Sequence, residues 1–138
     1  MILHSDFASK TPVTKLQHCI VLMEDCQPNP WLIIVPDTGK SPLDAVDITD
    51  LDFDLQVKIL HEVNICANVI KAMFKPYKLN IASFGNVTPQ LHIHIQARFK
   101  YDEHFAKPLF GLVNRGFTDS QTRLEAALAI KNAIEAKL

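Results

Sequence analysis

The order of apolar and polar positions along the chain predicts its elements. His18 to Met23 is an almost unbroken apolar run that follows Thr14 and Lys15, and it reads as a strand. Pro28 and Pro30 place a turn after it, because proline cannot continue a ladder. Trp31 to Val35 is wholly apolar and predicts a central strand, ended by Pro36. Asp37 to Pro42 is a loop. Its Gly39-Lys40-Ser41 resembles part of a phosphate-binding loop, but Ile34 stands where the first glycine of that motif belongs, so the motif is rejected. Leu51 to Phe74 lacks Gly and Pro, and Leu55, Ile59, Val63, Cys66, Ile70 and Met73 recur at helical spacing. A long helix is predicted there, capped by Thr49 with Asp52 closing a capping box. His61 and Glu62 fall off its apolar stripe and read as a solvated face.

Leu79 to Phe84 predicts a strand, Gly85 to Pro89 a turn, and Gln90 to Phe99 another strand. Lys100 to Phe117 is irregular. Thr118, with Gln121 three residues on, caps a C-terminal helix whose stripe is Leu124, Ala127, Ile130, Ile134 and Leu138. Strands in hairpin-like pairs, one long inserted helix and one terminal helix make an α+β fold with an antiparallel sheet of about five strands. One domain spans residues 1–138.

The strand from Gln90 carries the candidate chemistry. Period-two alternation puts Gln90, His92, His94, Gln96 and Arg98 on one face, and Leu91, Ile93, Ile95 and Ala97 on the other. Neutral imidazole is a nucleophile, a proton carrier and a metal ligand near neutral pH. A half-buried strand with a wet face has the same alternation, so the pattern alone leaves a structural reading open.

Composition narrows the choices. The chain has 138 residues, 48% of them hydrophobic, and a formal net charge of −1. That balance gives no electrostatic reason to expect nucleic acid or an anionic membrane as partner. No apolar run approaches a membrane span, and Met1 to Lys10 lacks the pattern of a signal peptide. The three Cys, at 19, 26 and 66, have no CxxC spacing. Reduced thiols in a cytoplasmic protein are expected, with no metal site.

Gly85-Asn86-Val87-Thr88-Pro89-Gln90-Leu91-His92-Ile93-His94-Ile95 resembles the signature of the histidine-triad superfamily, in which a Gly-Gln segment leads into alternating His and apolar residues. Trp31 to Pro36 and the order of elements also resemble that family, over roughly residues 18–100. In the gap-free register Gln90 takes the first triad position, His92 the second and His94 the third. A rival register, His92-Ile93-His94-Ile95-Gln96, resembles the nucleotidyltransferase branch and makes His94 central. The first keeps Gly85-Asn86 aligned with the family's Gly-Gln and is preferred.

The resemblance implies a homodimeric hydrolase or transferase acting at the α-phosphate of a nucleotide through a covalent nucleotidyl-histidine. His92 would be the nucleophile, Gln90 and His94 its support, and Asn86 and Asn80 nucleotide or phosphate contacts. Glu24 or Asp25 lies near the family's ribose contact. No cofactor is implied, beyond a divalent ion that could accompany the substrate phosphates. Two other classes stay open. One is a nucleotide-binding module with little turnover. The other is a metal-dependent hydrolase with His92 and His94 as ligands, for which no third ligand stands at a recognisable spacing.

Overall fold

A computed structural model of the chain describes residues 1–112 and 115–138. Strands β1 (Thr11–Lys15), β2 (Cys19–Met23) and β3 (Trp31–Pro36) form a meander. Helix α1 (Phe53–Phe74) follows, then β4 (Lys78–Ala82), β5 (Ile93–Arg98) and helix α2 (Ser120–Glu135). The sheet is five-stranded in the order β1-β2-β3-β5-β4, and every pairing is antiparallel. The apolar run at Trp31 is the middle strand, as its composition predicts.

Both helices cover one face of the sheet. Val21, Leu32, Ile34 and Ile95 meet Ile59, Cys66 and Ile70 of α1 and Ile130 and Ile134 of α2. The opposite face carries a second apolar cluster of Phe7, Leu22, Trp31, Ile33, Val35 and Leu109. Both faces are therefore filled, and β5 is buried along its whole length. The wet face that a purely structural reading of β5 allows is absent. The N-terminal segment and the loop after β5 cover it.

Several boundaries move for local reasons. Residues 11–15 form a strand despite Pro12, because β1 is an edge strand with a register shift at that proline. The ladder of β5 begins at Ile93, since the carbonyl of His92 accepts from Ser83 Oγ at 2.6 Å instead. α1 starts at Phe53. Before it, Ile48–Asp50 is a 3-10 turn in which the Asp50 carboxylate accepts from the Asp47 N–H at 3.1 Å, so Thr49 caps nothing. Asp119, one residue after Thr118, caps α2 by accepting from the Thr122 N–H at 2.7 Å.

The core stripes hold in their centres and fail at their ends. Phe74, not Met73, packs on the sheet at the last turn of α1; Leu124 of α2 is exposed, and Leu138, predicted to continue that stripe, is exposed beyond the end of α2. Glu62 is the larger correction. It is buried, with one carboxylate oxygen accepting from the His18 N–H at 2.9 Å and facing His18 Nδ1 at 3.1 Å. The turn between β1 and β2 folds down onto this part of α1 and covers it.

Candidate functional site

Side chains of β5 and its neighbours meet on the face away from the helices. Antiparallel partners share a face, so Ile33 and Ala82 flank His94, and Trp31 and Asn80 flank Gln96. His92 and His94 stand side by side with ring centroids 4.9 Å apart and planes at 79°. They are 7% and 8% exposed, so each ring takes its hydrogen-bond partners largely from the protein.

Those neighbours assign the protons. Nδ1 of His92 lies 2.7 Å from the carbonyl oxygen of Gln90. A carbonyl can only accept, so Nδ1 carries the proton and Nε2 holds the lone pair. The indole N–H of Trp31 donates to Nδ1 of His94 at 2.9 Å. Indole can only donate, so here Nδ1 holds the lone pair and Nε2 carries the proton. Two imidazoles two residues apart are thus held in opposite tautomers. Burial, then the neighbouring His92 and the charge of Lys10, push His94 down to about 4, which keeps it neutral at physiological pH.

Aromatic rings complete the walls. Phe7 lies 5.3 Å from His92 in an edge arrangement, and Phe110 lies 4.8 Å from His94 and 5.6 Å from Trp31. None of these contacts was visible as a spacing in the sequence, because Phe7 and Phe110 come from segments far from β5. Lys10 donates to both carboxylate oxygens of Glu24, at 2.8 and 2.7 Å.

The remaining expected site residues divide. Gln90 is buried, but its side chain is engaged by the N-terminal segment: Oε1 accepts from the His4 N–H at 2.8 Å and Nε2 donates to the Ile2 carbonyl at 3.0 Å. Its main-chain carbonyl is the group that hydrogen-bonds to the histidine pair, through His92 Nδ1. Asn80 lies on the correct face, but its Oδ1 accepts from Arg98 at 2.9 Å. Asn86 is exposed in the turn that follows Gly85, whose φ of 107° is a conformation that side chains disfavour. Asp25 accepts from the Phe117 N–H at 2.8 Å, and a side chain at Gly116 would collide with it.

Arg98, at the end of β5, shares the face of the histidines. It is 2% exposed and donates to Asp102 through Nε at 3.1 Å and Nη2 at 3.2 Å, and to the His104 carbonyl. Burial opposes the charge of Asp102, yet the Arg98 and Phe99 N–H groups outweigh it and hold the carboxyl below its ordinary value. Asp102 was missed by sequence reasoning, although its spacing of four from Arg98 was a usable signal. Gln96 is 1% exposed, and neither side-chain polar atom has a partner among the described residues. Among those residues no group of three or more His, Cys, Asp and Glu side chains is placed to hold a metal ion.

A family profile described as HIT domain matches residues 8–101. Solved structures agree along nearly the whole chain. A histidine triad protein from Bradyrhizobium japonicum is 33% identical with a TM-score of 0.85, covering 96% of this chain and 97% of its own. One from Sinorhizobium meliloti is 25% identical with a TM-score of 0.84, covering 99% and 96%. A third, from Marinobacter aquaeolei, is 24% identical with a TM-score of 0.87 over 98% and 96%, and speaks for the fold alone. No match to the chain is found among curated proteins. With the profile spanning more than half of the chain and the sheet, helices and histidine strand in the matching order, this protein belongs to the HIT domain family.

Proposed function

We propose that this protein is a nucleotidyl hydrolase or transferase that works through a covalent nucleotidyl-His92 intermediate. Membership of the family supports a nucleotide-binding hydrolase or transferase in general terms. The observation that carries the finer reading is the pair of opposed tautomers. Of the two, His92 has Nδ1–H held by a carbonyl, which leaves the lone pair on Nε2, and no hydrogen bond to that nitrogen is made among the described residues. That favours the register in which His92 is central and Gln90 first.

In the proposed reaction, Nε2 of His92 attacks the α-phosphorus. A P–N bond forms and the bond to the leaving phosphate, amine or acyl-phosphate breaks, with the electron pair leaving on that group; an amine takes a proton from solvent as it departs. The imidazole becomes cationic, and the Gln90 carbonyl stabilises it through Nδ1–H. His94 is too weak an acid in its neutral form to protonate the leaving group. Its Nε2–H instead donates to a nonbridging oxygen, where charge accumulates. Water then attacks phosphorus and gives up a proton to solvent, the P–N bond breaks, and its electron pair returns to Nε2. Asn86, exposed in the preceding turn, is the proposed contact for phosphate or leaving group. Asn80 acts by holding Arg98. A divalent ion would arrive with the substrate phosphates and not as a resident cofactor.

A fluorogenic adenosine phosphoramidate tests this. His92→Ala should abolish turnover, and mass spectrometry of the wild type quenched during turnover should find a nucleotide on the peptide that carries His92. A dead His94→Ala beside an active His92→Ala would place the nucleophile two residues on. Tight nucleotide binding without turnover by the wild type would leave a binding module in place of an enzyme.

A further inference from the structure

We propose that the N-terminal segment is a fixed wall of the site, in which Phe7 is a positioning residue for the His92 ring and Gln90 is the anchor that holds Phe7 there. This rests on His92 being the nucleophile.

The chemistry of the Gln90 side chain points to an anchor. The carbonyl of Ile2 and the N–H of His4 flank Leu3, and both are taken by the one amide group of Gln90. In an extended chain these two groups point the same way, as they do toward a neighbouring strand. A primary amide presents a donor and an acceptor side by side in one plane and satisfies both at once. An imidazole has its donor and acceptor on opposite sides of a ring and fits that pair poorly. The glutamine at the first triad position is therefore suited to holding main chain. It would have to release that chain before touching substrate.

Further contacts carry the anchor to the site. Thr88 donates to the Asp6 carboxylate at 2.6 Å, the Asp6 N–H donates to His4 Nδ1 at 3.0 Å, and the Phe7 N–H donates to the His4 carbonyl at 3.0 Å. These bonds close a short 3-10 turn whose buried residue is Phe7. Its ring contacts His92, which is also held by the Gln90 carbonyl and by the His94 ring. A nucleophile clamped on these sides has little freedom to swing from the line of attack, and small misalignments of a reacting group cost rate steeply.

The test combines kinetics with measurements on the resting protein. Phe7→Ala should lower kcat by about tenfold, as for a misplaced reacting group, with KM within about twofold. Phe7→Leu, which keeps most of the buried volume, should recover part of the loss. Gln90→Leu should lower kcat similarly, and the double variant should be no worse than either single change, because both break one path. In the free protein, amide exchange at His4 and Phe7 should accelerate in Gln90→Leu. The ¹⁵N shifts of the His92 ring should move from the pure Nδ1–H form in Phe7→Ala. An unchanged or raised kcat in Phe7→Ala, additive losses in the double variant, or unmoved His92 shifts would each overturn the proposal. An inactive wild type would sink the functional reading instead, and the exchange and ring-shift data would still decide the wall.

Discussion

At the scale of single residues, the site is governed by what each imidazole nitrogen faces. His94 illustrates the consequence for stability. Its folded value of about 4 lies below the ordinary 6.5, so the unfolded chain binds the extra proton first as pH falls. Stability from this group is complete above the unfolded value and is lost as pH drops from 6.5 toward 4, with no further loss below. The loss is on the order of 3 kcal/mol. Chemical denaturation at a series of pH values should show it as a slope across that window that flattens in His94→Gln. An equal slope in both proteins would mean that His94 is not buried as a neutral group. The thiols of Cys19 and Cys66 are also governed by burial: Cys66 is pushed up to about 12, and Cys19 higher, with Glu62 adding to both, so neither is a ready nucleophile.

Elements place these residues by register, and the loop after β5 shows how. Asp102 turns back on its own strand, accepting from Arg98 and from the Phe99 N–H at 2.9 Å, while Asn29 donates to it from the turn after β2. One carboxylate thus ties β5, its following loop and the β2–β3 turn together. Asp102→Ala would leave the Arg98 guanidinium buried without its counter-charge, a loss of about 3 kcal/mol or more. Urea unfolding should register it, and Arg98→Met with Asp102→Leu should recover much of it. A loss below 1 kcal/mol would show that Arg98 finds water or another acceptor. α1 is the other informative element, since one helix carries two apolar stripes. The first faces the sheet. The second, Phe53, Val57 and Leu60, is 75%, 50% and 61% exposed.

For the molecule as a whole, Leu60 of that second stripe lines an apolar hollow with Ile81 of the edge strand β4 and with Ile48, Ile59 and Val63. An exposed edge and an adjoining apolar helix face suit a two-fold contact. The expected homodimer is proposed to form there. Light scattering at micromolar concentration should give twice the chain mass, and Leu60→Glu should halve it. A monomeric wild type would remove the proposal, and a dimeric Leu60→Glu variant would move the contact elsewhere. No helix among the described residues is long and apolar enough to cross a membrane.

Local patterns in the chain determined much of this protein. The apolar run at Trp31, the uninterrupted helical stripe of α1 and the alternation along β5 are set by residues close in sequence, so they were legible before any fold. So was the pairing of His92 with His94 on one face. What the histidines can do was decided by tertiary structure. Their tautomers depend on the Trp31 indole, 63 positions from His94, and on a carbonyl whose direction follows from the chain path at Gln90. The burial of Glu62 under the β1–β2 turn and the capture of Gln90 by residues 2–4 are likewise contacts between distant segments. Period and composition report a residue's own element, whereas burial and hydrogen-bond partners are supplied by whatever the fold lays on top of it.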